Sequence, residues 1–85
     1  MGQKTNYSPT FPMYPGSAAA VTPSDTVNLA SPSVIYVGVF GNVRVTTATG
    51  DVVTFLNVPA GSIIPVQVLR VMATSTTATN LVAIY

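Results

Sequence analysis

Residues 62 to 72 read Ser-Ile-Ile-Pro-Val-Gln-Val-Leu-Arg-Val-Met. As a strand, this segment places Ile64, Val66, Val68, Arg70 and Met72 on one face. Ile63, Pro65, Gln67, Leu69 and Val71 fall on the other, because successive side chains alternate. A sheet with one wet face alternates apolar with polar. This segment is apolar on both sides, so both sides need cover. The chain has only 85 residues, one domain at most, and few layers of its own to supply it. Pro65 cannot donate to a ladder, so it belongs at an edge or a bulge.

The rest of the sequence agrees with an all-β reading. Val occurs 14 times and Thr 12 times, and both favour pleated, half-buried strands because their branched β-carbons restrict χ1. Val34 to Phe40 is a strand-like run ending at Gly41-Asn42, a turn signal. Val43 to Thr47 alternates with period two. Ala48-Thr49-Gly50-Asp51 offers a hairpin turn, with Gly50 free to take positive φ, and Val52 to Leu56 returns as its partner strand. Val58-Pro59-Ala60-Gly61 is the next turn, with Pro59 suited to its second position. Thr74 to Thr79 reads as a loop or a loose edge, and Leu81 to Tyr85 as a last strand. The expected architecture is a small antiparallel sandwich or partly open barrel of about five to seven short strands. Phe55, Ile63, Ile64, Val66, Val68 and Leu69 form its expected core or oligomer face.

Residues 1 to 21 differ in character from residues 22 to 85. Pro9, Pro12 and Pro15 recur every three residues, each biasing its predecessor toward extended geometry. The expectation is an extended N-terminal arm over 1–21, with a small β domain over 22–85. Tyr7, Phe11 and Tyr14 are interleaved with those prolines, and rings of that size on a solvated tail point to docking on a neighbour. Tyr7, Phe11, Pro12 and Tyr14 are therefore candidate anchors. The competing reading is an arm that folds back on its own domain.

Charge excludes most functions. Lys4, Arg44 and Arg70 are the only cations, and Asp25 and Asp51 the only anions. That is 6% of the chain, against about 25% in ordinary soluble domains. A net charge of +1 cannot grip a phosphate backbone, so nucleic acid is not an expected partner. His, Cys, Glu and Trp are absent. No base stands ready beside a Ser or Thr nucleophile, and disulfides and Cys/His zinc sites have no ligands. Two separated Asp make a poor calcium site. No enzymatic activity and no cofactor are expected. Apolar runs fall well short of the roughly 20 residues that a spanning helix needs, so no membrane association is expected either. Arg44 and Arg70 are candidate contacts to an acidic partner surface, or else edge charges that discourage stray pairing. A β domain of this size, without staples, gains most from oligomerisation, and sparse charge favours association. A homo-oligomer, trimer or pentamer, is the expected state.

Particular stretches also resemble a family. They are Thr22-Pro23-Ser24-Asp25-Thr26-Val27-Asn28-Leu29, Tyr36-Val37-Gly38 followed by Gly41-Asn42-Val43, and Val53 to Gly61. The likeness continues through Pro65-Val66-Gln67-Val68, Arg70-Val71 and Thr76 to Ala83. Over residues 22 to 85 the chain resembles the small head-spike base proteins of gene transfer agents and related tailed phages. The resemblance implies an oligomeric structural protein on the capsid exterior of the virion, a spike base or a decoration (cement) protein. The implied partners are the major capsid protein and a head spike or fibre protein. It brings no catalytic residue. A neck or tail component of the same particle is the first alternative. A glycan-binding β module using Tyr36 and Tyr85 is the second.

Overall fold

A computed structural model of the chain describes residues 15–85. The expectations on Tyr7, Phe11, Pro12 and Tyr14 lie outside the described residues. Six strands form: β1 (Ala18–Ala20), β2 (Ser33–Tyr36), β3 (Gly41–Thr47), β4 (Val52–Val58), β5 (Ile63–Val71) and β6 (Val82–Ile84). They make one sheet in the order β1-β6-β2-β5-β3-β4. Every neighbouring pair is antiparallel. The fold is the expected all-β one, a single open sheet with β1 and β4 at its edges. Only β3 and β4 are both consecutive in sequence and adjacent in space.

The β3–β4 hairpin forms where its turn chemistry allows. Gly50 sits at φ 98°, a region that side chains disfavour. The Thr47 N–H donates to the Asp51 carbonyl at 2.8 Å, and the Gly50 N–H to the Thr47 carbonyl at 3.0 Å. The Thr49 hydroxyl donates to the Asp51 carboxylate at 3.0 Å. Pro59 to Gly61 also turns as expected, with Gly61 at φ 84° and its N–H donating to the Val37 carbonyl at 2.7 Å.

One face of the sheet carries the core. Ile35, Val37, Val43, Val45, Ile64, Val68, Val71, Leu81 and Ala83 are buried there. Phe55, Val58, Val66, Leu29 and Val21 pack against them, partly exposed. Of the residues expected in the core or oligomer face, Ile64 and Val68 are buried, Phe55, Val66 and Leu69 are half-buried, and Ile63 is exposed. Strict alternation fails along β5. Thr46 pairs with Arg70 but Thr47 pairs with Val68, leaving Leu69 as an extra residue. This bulge switches parity, so Val71 turns inward alongside Val68.

Two expectations change. Residues 1–21 do not all form an unpaired arm: Ala18–Ala20 pairs with Ile84–Val82 of β6. The ladder continues one step further, where the Tyr85 N–H donates to the Ser17 carbonyl at 2.9 Å. Alanine is a weak strand former, and here the backbone of β6 supplies the order. Gly41-Asn42 is not a turn either; it opens β3, and Val37 to Phe40 connect β2 to a strand that runs in the same direction on the other side of β5. Gly41 is required by closeness instead, since a β-carbon there would collide with the backbone of Ala78. Val39 forms an isolated bridge with Thr79, so the loops 37–40 and 77–80 cross backbone to backbone.

Candidate interaction face

Strand alternation and register define the second face of the sheet. Ala18 and Ala20 lie opposite Ile84 and Val82. Val34 and Tyr36 lie opposite the same two residues on the other side. Tyr36 also lies opposite Ile63. Residues directly opposite each other share a face, so these side chains form two apolar rows, one through Ala20, Val82, Tyr36 and Ile63 across β1, β6, β2 and β5, the other through Ala18, Ile84 and Val34 across β1, β6 and β2. Pro65 extends them along β5. Tyr36 is 37% exposed and Ile63 is 53% exposed, while Val34, Val82 and Ile84 are half-buried. None of these side chains is charged. An antiparallel sheet with one wet face normally turns polar residues outward; this half of the sheet turns apolar ones outward.

The other half of the outward face is mostly polar. Arg44, Thr46, Thr54 and Arg70 lie there by register. Arg70, expected as a partner contact, uses its guanidinium within the chain. Its Nε donates to Asn28 Oδ1 at 2.9 Å, and its Nη1 to the Asp25 carbonyl at 2.7 Å. Asp25 in turn accepts from the Thr74 N–H at 2.9 Å and from the Thr74 hydroxyl at 2.7 Å. These bonds from Thr74 hold the Asp25 carboxyl below its ordinary pKa, with Arg44 adding a smaller electrostatic pull. Around this clamp, the Ser24 N–H donates to the Val71 carbonyl at 2.8 Å and the Leu29 N–H to the Leu69 carbonyl at 2.7 Å. The segment between β1 and β2 thus covers the end of β5 that β2 does not reach. Arg44 is half-buried, its N–H donating to the Thr76 hydroxyl at 3.0 Å.

The two tyrosines weighed for glycan stacking do not form one platform. Tyr36 is on the outward face, whereas Tyr85 follows outward Ile84 in the β6 ladder and takes the opposite side by alternation. A shallow open groove elsewhere is lined by Thr47, Ala48, Thr49, Asp51, Val66 and Gln67. Its one carboxylate is occupied by the hydroxyls of Thr47, at 3.2 Å, and Thr49. Neither place gathers groups for catalysis.

A sheet face of which one half is uncharged, apolar and partly exposed is a surface made to be covered there. A solved structure with this architecture is described as the capsid of a native GTA particle computed with C5 symmetry. One of its chains is 39% identical to this one, with a TM-score of 0.73. The match covers 84% of this chain and 83% of that one. The protein belongs to the same family as this gene transfer agent capsid chain. No family model matches the sequence, and no curated protein does. The family was signalled by the stretches Val53–Gly61 and Thr76–Ala83, which here form β4 with its turn and the loop leading into β6. What the sequence did not signal is that the outward apolar residues of four different strands join into one surface.

Proposed function

We propose that this protein is a structural component on the outside of a phage-like head, arranged in several copies about a five-fold vertex as a spike base. The observation that carries this reading is the 39% identity, over 84% of the chain, to a chain of a capsid computed with C5 symmetry. The outward face adds a physical reason for permanent association. Apolar area covered by a partner contributes roughly 25 cal/mol per Å², and no charge in the apolar half of that face has to be desolvated. The major capsid protein is the proposed partner beneath the ring, and a spike or fibre protein the partner above it. Tyr7, Phe11, Pro12 and Tyr14 are proposed as anchors on a neighbouring subunit.

A lattice cement protein is the second reading, since the same apolar face would serve a protein seated across capsid subunits. Cryo-EM of intact particles, refined locally at the vertices, separates the two. The spike-base reading expects five copies of the six-stranded domain at the five-fold position. Copies distributed over the lattice establish the cement reading, and density confined to the neck or tail refutes both. Removal of residues 2–14 tests the anchors. The β domain is expected to fold and self-associate but to lose occupancy on particles; full occupancy would move attachment to the β domain.

A further inference from the structure

Among the described residues both edges of the sheet are unpaired, and they differ in kind. β4 carries no charged residue and no proline, the usual devices that keep an edge from pairing. Val52 is 49% exposed and Val53 41%, on opposite faces, so β4 is apolar on both sides. Among the described residues nothing pairs with it except β3. A bulge near Leu56 and Asn57, where Val43 pairs with Phe55 but Gly41 with Val58, limits its straight ladder to Val52–Phe55. At the far edge, β1 is three alanines, all exposed, held only by β6. Its small side chains bury little and it is poorly suited to stand alone as a strand.

Strand number decides how these edges can meet. Six strands with antiparallel neighbours make β1 and β4 run in opposite directions. Rotation of a second copy about an axis along the strands preserves strand direction. The β1 edge of that copy therefore arrives antiparallel to β4 of the first. An odd number of strands would make the same junction parallel, the slightly weaker pairing. The lengths also agree, three residues of β1 against four straight residues of β4, and alanines leave room for the valines.

We infer that β4 of one copy is continued by β1 of the next, so that the ring is a head-to-tail sheet in which each copy uses both of its edges. This inference rests on the five-fold reading above. The junction is heterologous, as a cyclic ring larger than a dimer requires, and it sets the apolar half of one copy's outward face beside the polar half of the next.

The chain has no cysteine, so disulfide trapping in the full-length protein is clean. One of Ala18→Cys, Ala19→Cys or Ala20→Cys is combined with one of Val52→Cys, Val53→Cys or Thr54→Cys, giving nine double variants that scan the register. Directly opposed positions lie near the distance a disulfide spans. Under mild oxidation at least one combination is expected to give a ladder of covalent multimers beyond the dimer, while each single variant remains uncrosslinked. Covalent dimers from single variants at 52, 53 or 54 would mean that β4 pairs with β4, and would overturn the inference. So would an oligomer that none of the nine combinations traps, or a folded monomer at high concentration. Locating the chain on particles is a separate measurement, so a protein that sits at the vertex with unpaired edges would refute the ring junction and leave the spike-base reading standing.

Discussion

Ile35 and Ile63 are the same residue on neighbouring strands, and they test which face does what. Ile35 is fully buried in the core, while Ile63 is 53% exposed on the outward face. Ile35→Ala removes buried methyl groups and leaves a cavity, at a cost of about 2–5 kcal/mol. A domain of this size has roughly 4–10 kcal/mol in all, so the variant should lose about half of its stability. Ile63→Ala removes contacts that are half in water already, and should cost the isolated domain less than about 1 kcal/mol. Association reverses the order. Fully burying an isoleucine side chain is worth about 1.5–3 kcal/mol, and roughly half of that is still available at Ile63 for a partner to gain. Ile63→Ala should therefore weaken binding to the partner that covers this face by about 1 kcal/mol per contact, near fivefold in affinity. Ile63→Asp should abolish that binding, because a carboxylate would be buried without a partner, and should leave a ring joined at its edges intact. Urea unfolding followed by circular dichroism gives the first quantity, and occupancy on particles the second. Equal loss of fold stability in Ile35→Ala and Ile63→Ala, or full occupancy with Ile63→Asp, would refute the assignment of faces.

Gly41→Ala should destabilise the fold by about 1–3 kcal/mol, since the added methyl meets backbone that cannot swing away; Gly16→Ala, with open space around it, should not, and thermal melts of the two compare them directly. Asp25 has a lowered folded-state pKa, so its contribution is present above about pH 4 and lost as pH falls further through the folded value. Asp25→Asn should lower stability at neutral pH and reduce the drop on acidification below pH 4, which unfolding curves at pH 7 and pH 3 measure. Gly50→Ala should cost about 1 kcal/mol from the positive φ alone, with self-association unchanged by light scattering.

Much of this molecule could be read from local signals. The Ala48–Asp51 turn was legible because Gly50 and its neighbours specify it within four residues. The two-faced character of residues 62–72 was legible too, and the structure gives it a meaning: Ile64 and Val68 face the core while Ile63 and Pro65 face outward. The Leu69 bulge was not legible, because alternation is broken by one residue whose chemistry is ordinary in a strand. β1 was hidden for another reason. Three alanines carry no strand preference, and their pairing is decided by β6, more than sixty residues later. The Asp25–Thr74 and Arg70–Asn28 bonds join positions more than forty residues apart, so neither could be assigned before the strand order was known. The outward face escaped for the same reason: each strand contributes only one or two of its residues, and only register joins them.

The strand order also has a consequence in time. β6 is the second strand from the edge; among the described residues it alone holds β1, and it joins β1 to β2. A chain emerging from the ribosome cannot close this half of the sheet until Val82–Ile84 are free. Ala18, Ala20, Val34 and Tyr36 have no common plane before then. The apolar surface is thus assembled only when the latest of the six strands arrives, rather than exposed strand by strand as the earlier ones emerge. Copies made side by side on one message have no complete face to offer one another until β6 of each is out, which keeps the sticky surface away from half-paired sheets.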